Sequence, residues 1–266
     1  IIMEQDEYVP MCGHCIIGTA TTVVSTGMVA AREPVTTVRF DTPAGLVTCD
    51  IEVKDGAVGS VSFNNVDSFL LKEHVPLEVE GLGRLLVDIA YGGDFYTFVD
   101  ADALALDLQP ANESTLIATY RRISRAVAEQ IPVSHPERRE INACYQVLFT
   151  SRATTTGDVK QTILCPPGSI DRSPCGTGTS ARVALMHSRG ELALHESRRF
   201  EGVLGTCFRG EAVAAERRGG VLYVTPRVTG NAYITGFHQF VLDPADPLPQ
   251  GFRIGSKPRN EARIMA

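Results

Sequence analysis

Two cysteines that precede glycine, Cys12-Gly13 and Cys175-Gly176, stand 163 residues apart, and the segments they open align without a gap. Gly13 falls on Gly176, Ser25 on Ser188 and Gly27 on Gly190, while Ala20, Val23 and Val29 fall on the apolar Val183, Met186 and Leu192. Each segment therefore predicts a helix that begins just after a cysteine and is closed by a glycine. A helix N-terminus presents unpaired N–H groups and positive potential, which favour a thiolate over a thiol and can hold a carboxylate. Two such ends facing each other would cradle one carboxylate between two sulfurs. A thiolate on one side could then remove an α-proton while a thiol on the other returns a proton to the opposite face, giving the mirror-image centre. That chemistry needs neither metal nor cofactor. It does need strong electrostatic stabilisation of the carboxylate and of the developing carbanion.

The elements that must position these cysteines are mostly strands. From Val35 the sequence alternates or turns β-branched, with Asp55-Gly56 and Asn64-Asn65 as turn signals, and Gly92-Gly93 breaks one long apolar run into a hairpin or bulge. A helix is predicted at about 113–130, where Asn112 can cap and Leu116, Tyr120, Ile123 and Val127 form a stripe. Arg121, Arg122 and Arg125 lie away from that stripe and read as a solvated face. Strands return after Asn142, pass a turn at Pro166-Pro167-Gly168, and resume after the second helix through Val221 to Thr225 and again at 232–235.

Composition narrows the partners. The chain has 266 residues, 44% of them hydrophobic, and 25 basic against 31 acidic residues give a formal charge of −6. Disorder is excluded, and nothing favours nucleic acid or an anionic membrane over a small soluble ligand. The uncharged stretch between His14 and Arg32 is short and polar for a membrane span and reads as a buried helix. Seven cysteines, an odd number in a chain long enough to build a core without staples, point to free thiols in a reducing, cytoplasmic setting. Cys49, Cys144 and Cys207 read as small buried hydrophobes.

Two signatures, Met11-Cys12-Gly13-His14 and Asp171-Arg172-Ser173-Pro174-Cys175-Gly176-Thr177-Gly178-Thr179, resemble those of the proline racemase family. That family includes 4-hydroxyproline 2-epimerases and trans-3-hydroxyproline dehydratases. The likeness continues through Thr42-Pro43-Ala44-Gly45, Asp88-Ile89-Ala90-Tyr91-Gly92-Gly93 and Val228-Thr229-Gly230-Asn231-Ala232-Tyr233. The resemblance implies an α/β fold related to diaminopimelate epimerase. It has two pseudo-symmetric lobes, each a mainly antiparallel sheet or barrel around a central helix, and it works as a homodimer without cofactor or metal. By position, Cys12 and Cys175 match the acid and base pair, and the amides of Gly13, His14, Gly176 and Thr177 match the carboxylate cradle. His14 and Asp171 match residues near the ring nitrogen of an imino acid. Dehydratases of the family typically replace a catalytic cysteine by threonine or serine, so both cysteines favour racemisation or epimerisation. The segment around Cys165 looks like the hydroxyproline epimerases, whereas proline racemases tend to place Phe there. Gln146 stands where those epimerases often have His, and could still hydrogen-bond a ring hydroxyl. A 4-hydroxyproline 2-epimerase is therefore the leading expectation, with proline racemase as the alternative.

On this reading residues 1–34 are the remainder of a first lobe that holds the first cysteine's helix, its upstream part being expected elsewhere. Residues 35–232 form the second lobe, and 233–266 a C-terminal segment that could return to the first. Such a chain is expected to expose a large apolar face.

Other classes remain distinguishable. Cys12-Gly13-His14-Cys15 also reads as the Cys-x-x-Cys of a thiol-disulfide oxidoreductase, but that leaves Cys175-Gly176 unexplained. Zinc held by Cys12, His14 and Cys15 would need a fourth ligand. A silent imino-acid-binding protein would not need its cysteines. Cys15 departs from the family pattern, and a disulfide between Cys12 and Cys15 would switch the enzyme off.

Overall fold

Alternating side chains become strand pairing from Val35 onward, in the computed structural model, which describes residues 1–3, 8–152, 154–249 and 251. The strands are β1 (Val35–Thr42), β2 (Gly45–Lys54), β3 (Ala57–Asn64), β4 (Phe69–Val79), β5 (Gly83–Tyr91), β6 (Phe95–Asp100), β7 (Gln146–Ser151), β8 (Val159–Cys165), β9 (Ser169–Ile170), β10 (Ser197–Glu201), β11 (Cys207–Arg218) and β12 (Val221–Gly230). Among the described residues these twelve form one sheet, in the order β1-β2-β3-β12-β11-β10-β8-β7-β6-β5-β4, with β9 attached to β8. Neighbours run antiparallel except β6 with β7 and β8 with β10. The far end curls back, because Ser68, just before β4, exchanges two 2.8 Å backbone hydrogen bonds with Val224 of β12. Eight strands thereby close a ring.

A helix fills that ring. The segment after Cys175 forms α3 (Gly176–Ser188), buried from Gly176 to Met186 save for the half-buried Arg182. Ala90, Tyr96, Phe98, Leu148, Ile163, Phe200, Ala212 and Val224, drawn from seven ring strands, pack with its Ala181, Val183, Ala184 and Leu185. Period-two alternation explains how one strand serves two cores. Leu148 and Ile163 face α3, whereas their neighbours Val147 and Leu164 face outward onto α2 (Glu113–Gln130). α2 buries the expected stripe of Leu116, Tyr120, Ile123 and Val127, and Arg121, Arg122 and Arg125 are exposed. Asn112 does not cap it: its side-chain amide donates instead to Asp107 O at 3.1 Å.

The segment after Cys12 forms α1 (Gly13–Ser25), equal in length to α3, and Gly27 and Gly190 both take φ +74° just past the helix ends. Their surroundings differ. α1 packs Ile16, Ile17, Ala20 and Val24 against Val47, Cys49, Ile51, Val61 and Phe63 of β2 and β3, so these strands share a core with the helix that precedes Val35. The helix is not buried all round, as its apolar sequence implied, because Cys15, Thr19 and Thr22 form an exposed stripe. Nor do residues 232–235 make a strand: the chain leaves the sheet at Gly230, and Tyr233, Phe237 and Phe240 are more than four-fifths exposed. Of the thiols expected to pack, Cys49 and Cys144 are buried and Cys207 is only half-buried. The part of the C-terminal segment at 252–266 lies outside the described residues.

One buried charge organises the loop beside α3. Glu201, at the end of β10, accepts backbone N–H bonds from Thr155, Thr156 and Gly157 at 2.7, 2.7 and 2.9 Å and faces Lys160 Nζ at 3.4 Å. Burial pushes its carboxyl up, but these partners overcome it and hold it at about 2. The next residue, Gly202, abuts the backbone of Ser173 and Pro174, which leads into Cys175. A carboxylate depressed in the folded state stabilises the fold above its ordinary value and loses that contribution as pH falls toward 2. Glu201→Gln is therefore expected to lower stability near neutral pH by on the order of 2 kcal/mol. Thermal melts as a function of pH should show a shallower acid limb in the variant than in the parent.

Candidate active site

Both cysteines sit at N-cap positions, where the backbone has not yet turned helical. Cys12 is extended at φ −138°, ψ 111°, whereas Cys175 is held at φ 62°, ψ 122°, a region that costs a side-chain-bearing residue about 1–3 kcal/mol. The strain is held in place by its neighbours. Asp171 Oδ1 accepts from Ser173 N at 2.8 Å, Ser173 Oγ accepts from Cys175 N at 3.0 Å, and Cys175 Sγ accepts from Gly178 N at 3.3 Å. Gln161 donates at 2.6 Å to Pro174 O and at 2.9 Å to Thr179 Oγ1.

The two helix ends meet backbone to backbone. A Cβ on Gly13 would lie 2.7 Å from Gly176 Cα, and one on Gly176 would lie 2.6 Å from Gly13 Cα. Phe63 caps the contact, its Cζ 2.6 Å from the first of those positions and 3.2 Å from the second. Only glycine fits at either place. A hydrogen bond from the Cys12 thiol to the Cys15 sulfur, and then burial, push the Cys12 thiol up. The approach also brings the sulfurs within electrostatic reach, so that charge on Cys175 adds a smaller share to the cost of ionising Cys12. Burial first, and then Asp171, push Cys175 up to about 12, against hydrogen bonds from Tyr96, Thr177 and Gly178 that favour its thiolate. The pair therefore resists carrying two negative charges at once.

His14 and Asp171 face each other across the junction, Nδ1 to Oδ1 at 3.6 Å. The Asp171 carboxylate raises the His14 imidazole above its ordinary value although burial opposes it. Thr177 Oγ1 lies 3.5 Å from Cys175 Sγ. Gln146 opens β7 on the face that Leu148 turns toward α3. It is buried, and its amide donates to Asp94 Oδ2 at 3.3 Å. Cys165 closes β8 on the same face as Ile163, and its thiol donates to Ser169 O at 3.7 Å across the β8–β9 turn. Of the residues singled out in the sequence, Cys12, Gly13, His14, Asp171, Cys175, Gly176 and Thr177 thus lie at one junction. Gln146 and Cys165 stand at strand ends facing the barrel interior. Among the described residues no three His, Cys, Asp or Glu side chains are grouped to hold a metal ion, and no helix is long and apolar enough to cross a membrane.

Three contributors escaped the sequence reading. The Tyr96 hydroxyl lies 2.6 Å from Thr177 Oγ1 and 3.4 Å from Cys175 Sγ, and burial keeps it a protonated phenol. Asp94 holds Gln146, and Asn65 bridges Gly92 O and Ser180 Oγ at 2.7 and 2.9 Å. That bridge clamps the β5–β6 turn onto α3 so closely that a Cβ on Gly92 would lie 2.2 Å from Thr177 O. One signal for Tyr96 was present. A tyrosine among apolar strand residues carries a hydroxyl that must find a partner once buried.

Comparison with known proteins identifies the fold. The model of the proline racemase family matches residues 1–253. The chain is 40% identical over 253 residues to a proline racemase of Clostridioides difficile, covering 95% of this chain and 76% of that protein. It is 41% identical over 252 residues to a 4-hydroxyproline 2-epimerase of Streptosporangium roseum, with coverage of 95% and 76%. The crystal structure of a hydroxyproline epimerase from Agrobacterium vitis with bound trans-4-OH-L-proline superposes with a TM-score of 0.88 at 32% identity, over 94% of this chain and 72% of that one. The α/β fold is thus that of the amino-acid racemases and epimerases, which are isomerases. The chain belongs to the proline racemase family.

Tyr96→Phe removes a single hydroxyl that favours the Cys175 thiolate. Alkylation of Cys175 by iodoacetamide, followed by peptide mass spectrometry, is expected to become roughly tenfold slower at fixed pH. The rate at Cys12 should not change.

Proposed function

We propose that the chain inverts the α-carbon of a proline-type imino acid with Cys12 and Cys175 as acid and base, and that 4-hydroxyproline is its substrate. The observation that carries this reading is the abutment of the two helix N-termini at Gly13 and Gly176, with a cysteine at each N-cap. Each helix end is equivalent to roughly half a positive charge, so two ends brought together favour an anion between them. A substrate carboxylate on the amides of Gly13, His14, Gly176 and Thr177 satisfies that field. It also puts the α-carbon between the sulfurs.

The proton balance is simple. A thiolate on one side takes the α-proton and becomes a thiol, while the opposite thiol gives its proton to the other face and becomes a thiolate. Charge on Cys175 adds to the cost of ionising Cys12, so the state with two thiolates is disfavoured. His14 and Asp171 face the ring nitrogen, Asp171 holding the imidazole in place. Gln146 and Cys165 line the ring, and the side-chain oxygen of Gln146 can accept from a ring hydroxyl while its nitrogen is held by Asp94.

Proline is the alternative substrate, supported by similarity to the Clostridioides difficile enzyme at nearly the same identity as to the epimerase. The reaction as written calls on no cofactor. We take the working form to be a homodimer in a reducing, cytoplasmic setting, which sedimentation of the reduced protein would test.

In D2O the chain is expected to place deuterium on the α-carbon of 4-hydroxyproline faster than on proline. Cys12→Ser and Cys175→Ser should each slow that exchange by about 10²–10⁴-fold. Exchange with proline alone would reassign the substrate, and exchange with neither would overturn the reading.

A further inference from the structure

Cys15 has no part in the chemistry proposed above, yet it is the most solvent-accessible of the seven cysteines. It alone is exposed, while Cys12, Cys165 and Cys207 are half-buried and Cys49, Cys144 and Cys175 are buried. It stands three residues after Cys12 in the first turn of α1, and the Cys12 thiol donates a hydrogen bond to its sulfur. An open groove lined by His14, Cys15, Gly18, Thr19, Thr22 and Tyr233 leads to it from solvent. Cys12 is the N-cap, with an extended backbone outside the helix, so its side chain can close on Cys15 without unwinding a helical hydrogen bond of its own N–H. Cβ atoms three residues apart on a helix are about 5–6 Å apart, and a disulfide needs about 3.5–4.5 Å. A small tightening at the N-cap spans the difference.

We propose that Cys12 and Cys15 form a reversible disulfide, closed by a peroxide-class oxidant and opened by a dithiol, that withdraws the sulfur at the N-terminus of α1 from the junction with α3. Cys15, the accessible member, attacks the peroxide first. Its sulfur–oxygen bond forms as the oxygen–oxygen bond breaks, and water leaves with the thiol proton. Cys12 then attacks the sulfenic sulfur of Cys15, forming the sulfur–sulfur bond as the sulfur–oxygen bond breaks, and a second water leaves with its proton. Two thiols and one hydrogen peroxide become one disulfide and two waters. Two successive exchanges with a dithiol reverse it. Cys175 is buried, so it meets the same oxidant less readily than the exposed Cys15.

The bond itself is independent of the catalytic reading, and its effect on turnover rests on that reading. The test treats the reduced chain with hydrogen peroxide and maps its peptides without reduction, before and after dithiothreitol. The expected result is a peptide containing Met11 that has lost two hydrogens through a link between Cys12 and Cys15, regained on reduction. α-Deuterium exchange should fall about 10²-fold in step with the link and return with dithiothreitol. Cys15→Ser should form no link, and its loss of exchange to peroxide, measured against the variant's own reduced rate, should no longer be restored by dithiothreitol. Absence of the Cys12–Cys15 link, or a Cys15→Ser chain that inactivates and recovers as the parent does, overturns the proposal. A link that forms and reverses in a chain that never exchanges deuterium rejects the two-thiol reaction and leaves the disulfide standing.

Discussion

The first turns of α1 and α3 touch through the backbones of Gly13 and Gly176, and most of the molecule can be understood as what that contact requires. Two helix N-termini carry positive potential and would not be placed end against end without compensation. The opposition is sustained by packing on both sides. α3 is gripped by a ring of eight strands, α1 is pressed onto β2 and β3, and Phe63 of β3 lies over both glycines. Any side chain at either glycine would force the helices apart and take the two N-cap cysteines with them.

The barrel around α3 is a device for holding a polar helix start in an apolar interior. Thr177, Thr179 and Ser180 are all buried in its first turns, and each has a partner: Tyr96 for Thr177, Gln161 for Thr179, and Asn65 with Gly176 O for Ser180. Satisfied hydrogen bonds are what make such burial tolerable, since an orphaned hydroxyl costs about 1–3 kcal/mol. The network also fixes direction. Tyr96 and Thr177 meet the Cys175 sulfur, and the Asp171-Ser173 turn holds its backbone N–H from the chain before the helix.

The two halves are alike in the helix and unlike in its setting. α3 is enclosed, so its cysteine is dry and its thiol is pushed up mainly by burial. α1 is covered on one side, so its cysteine lies near solvent beside a second thiol, and that neighbour is the largest influence on it. The same cysteine-glycine helix start therefore gives two sulfurs of different accessibility, and with that a different exposure to oxidants.

What the sequence determined by itself is local. The lengths of α1 and α3, the glycines that end them, the stripe of α2 and the break at Gly92-Gly93 follow from periodicity and from residues that only certain backbone conformations accept. The cysteine-glycine pairs were legible for the same reason, as N-cap positions. The tertiary structure decided what is 79 residues apart in sequence and 3.4 Å apart in space, Tyr96 on Cys175, and likewise Asp94 on Gln146 and Glu201 on the 155–157 loop. It also decided that Asn112 bonds elsewhere than its helix, that 232–235 stays out of the sheet, and that one face of α1 is bare. Alternation tells which residues share a face of a strand but not what that face meets, and a hydrogen-bonding side chain has no preferred partner until the fold offers one.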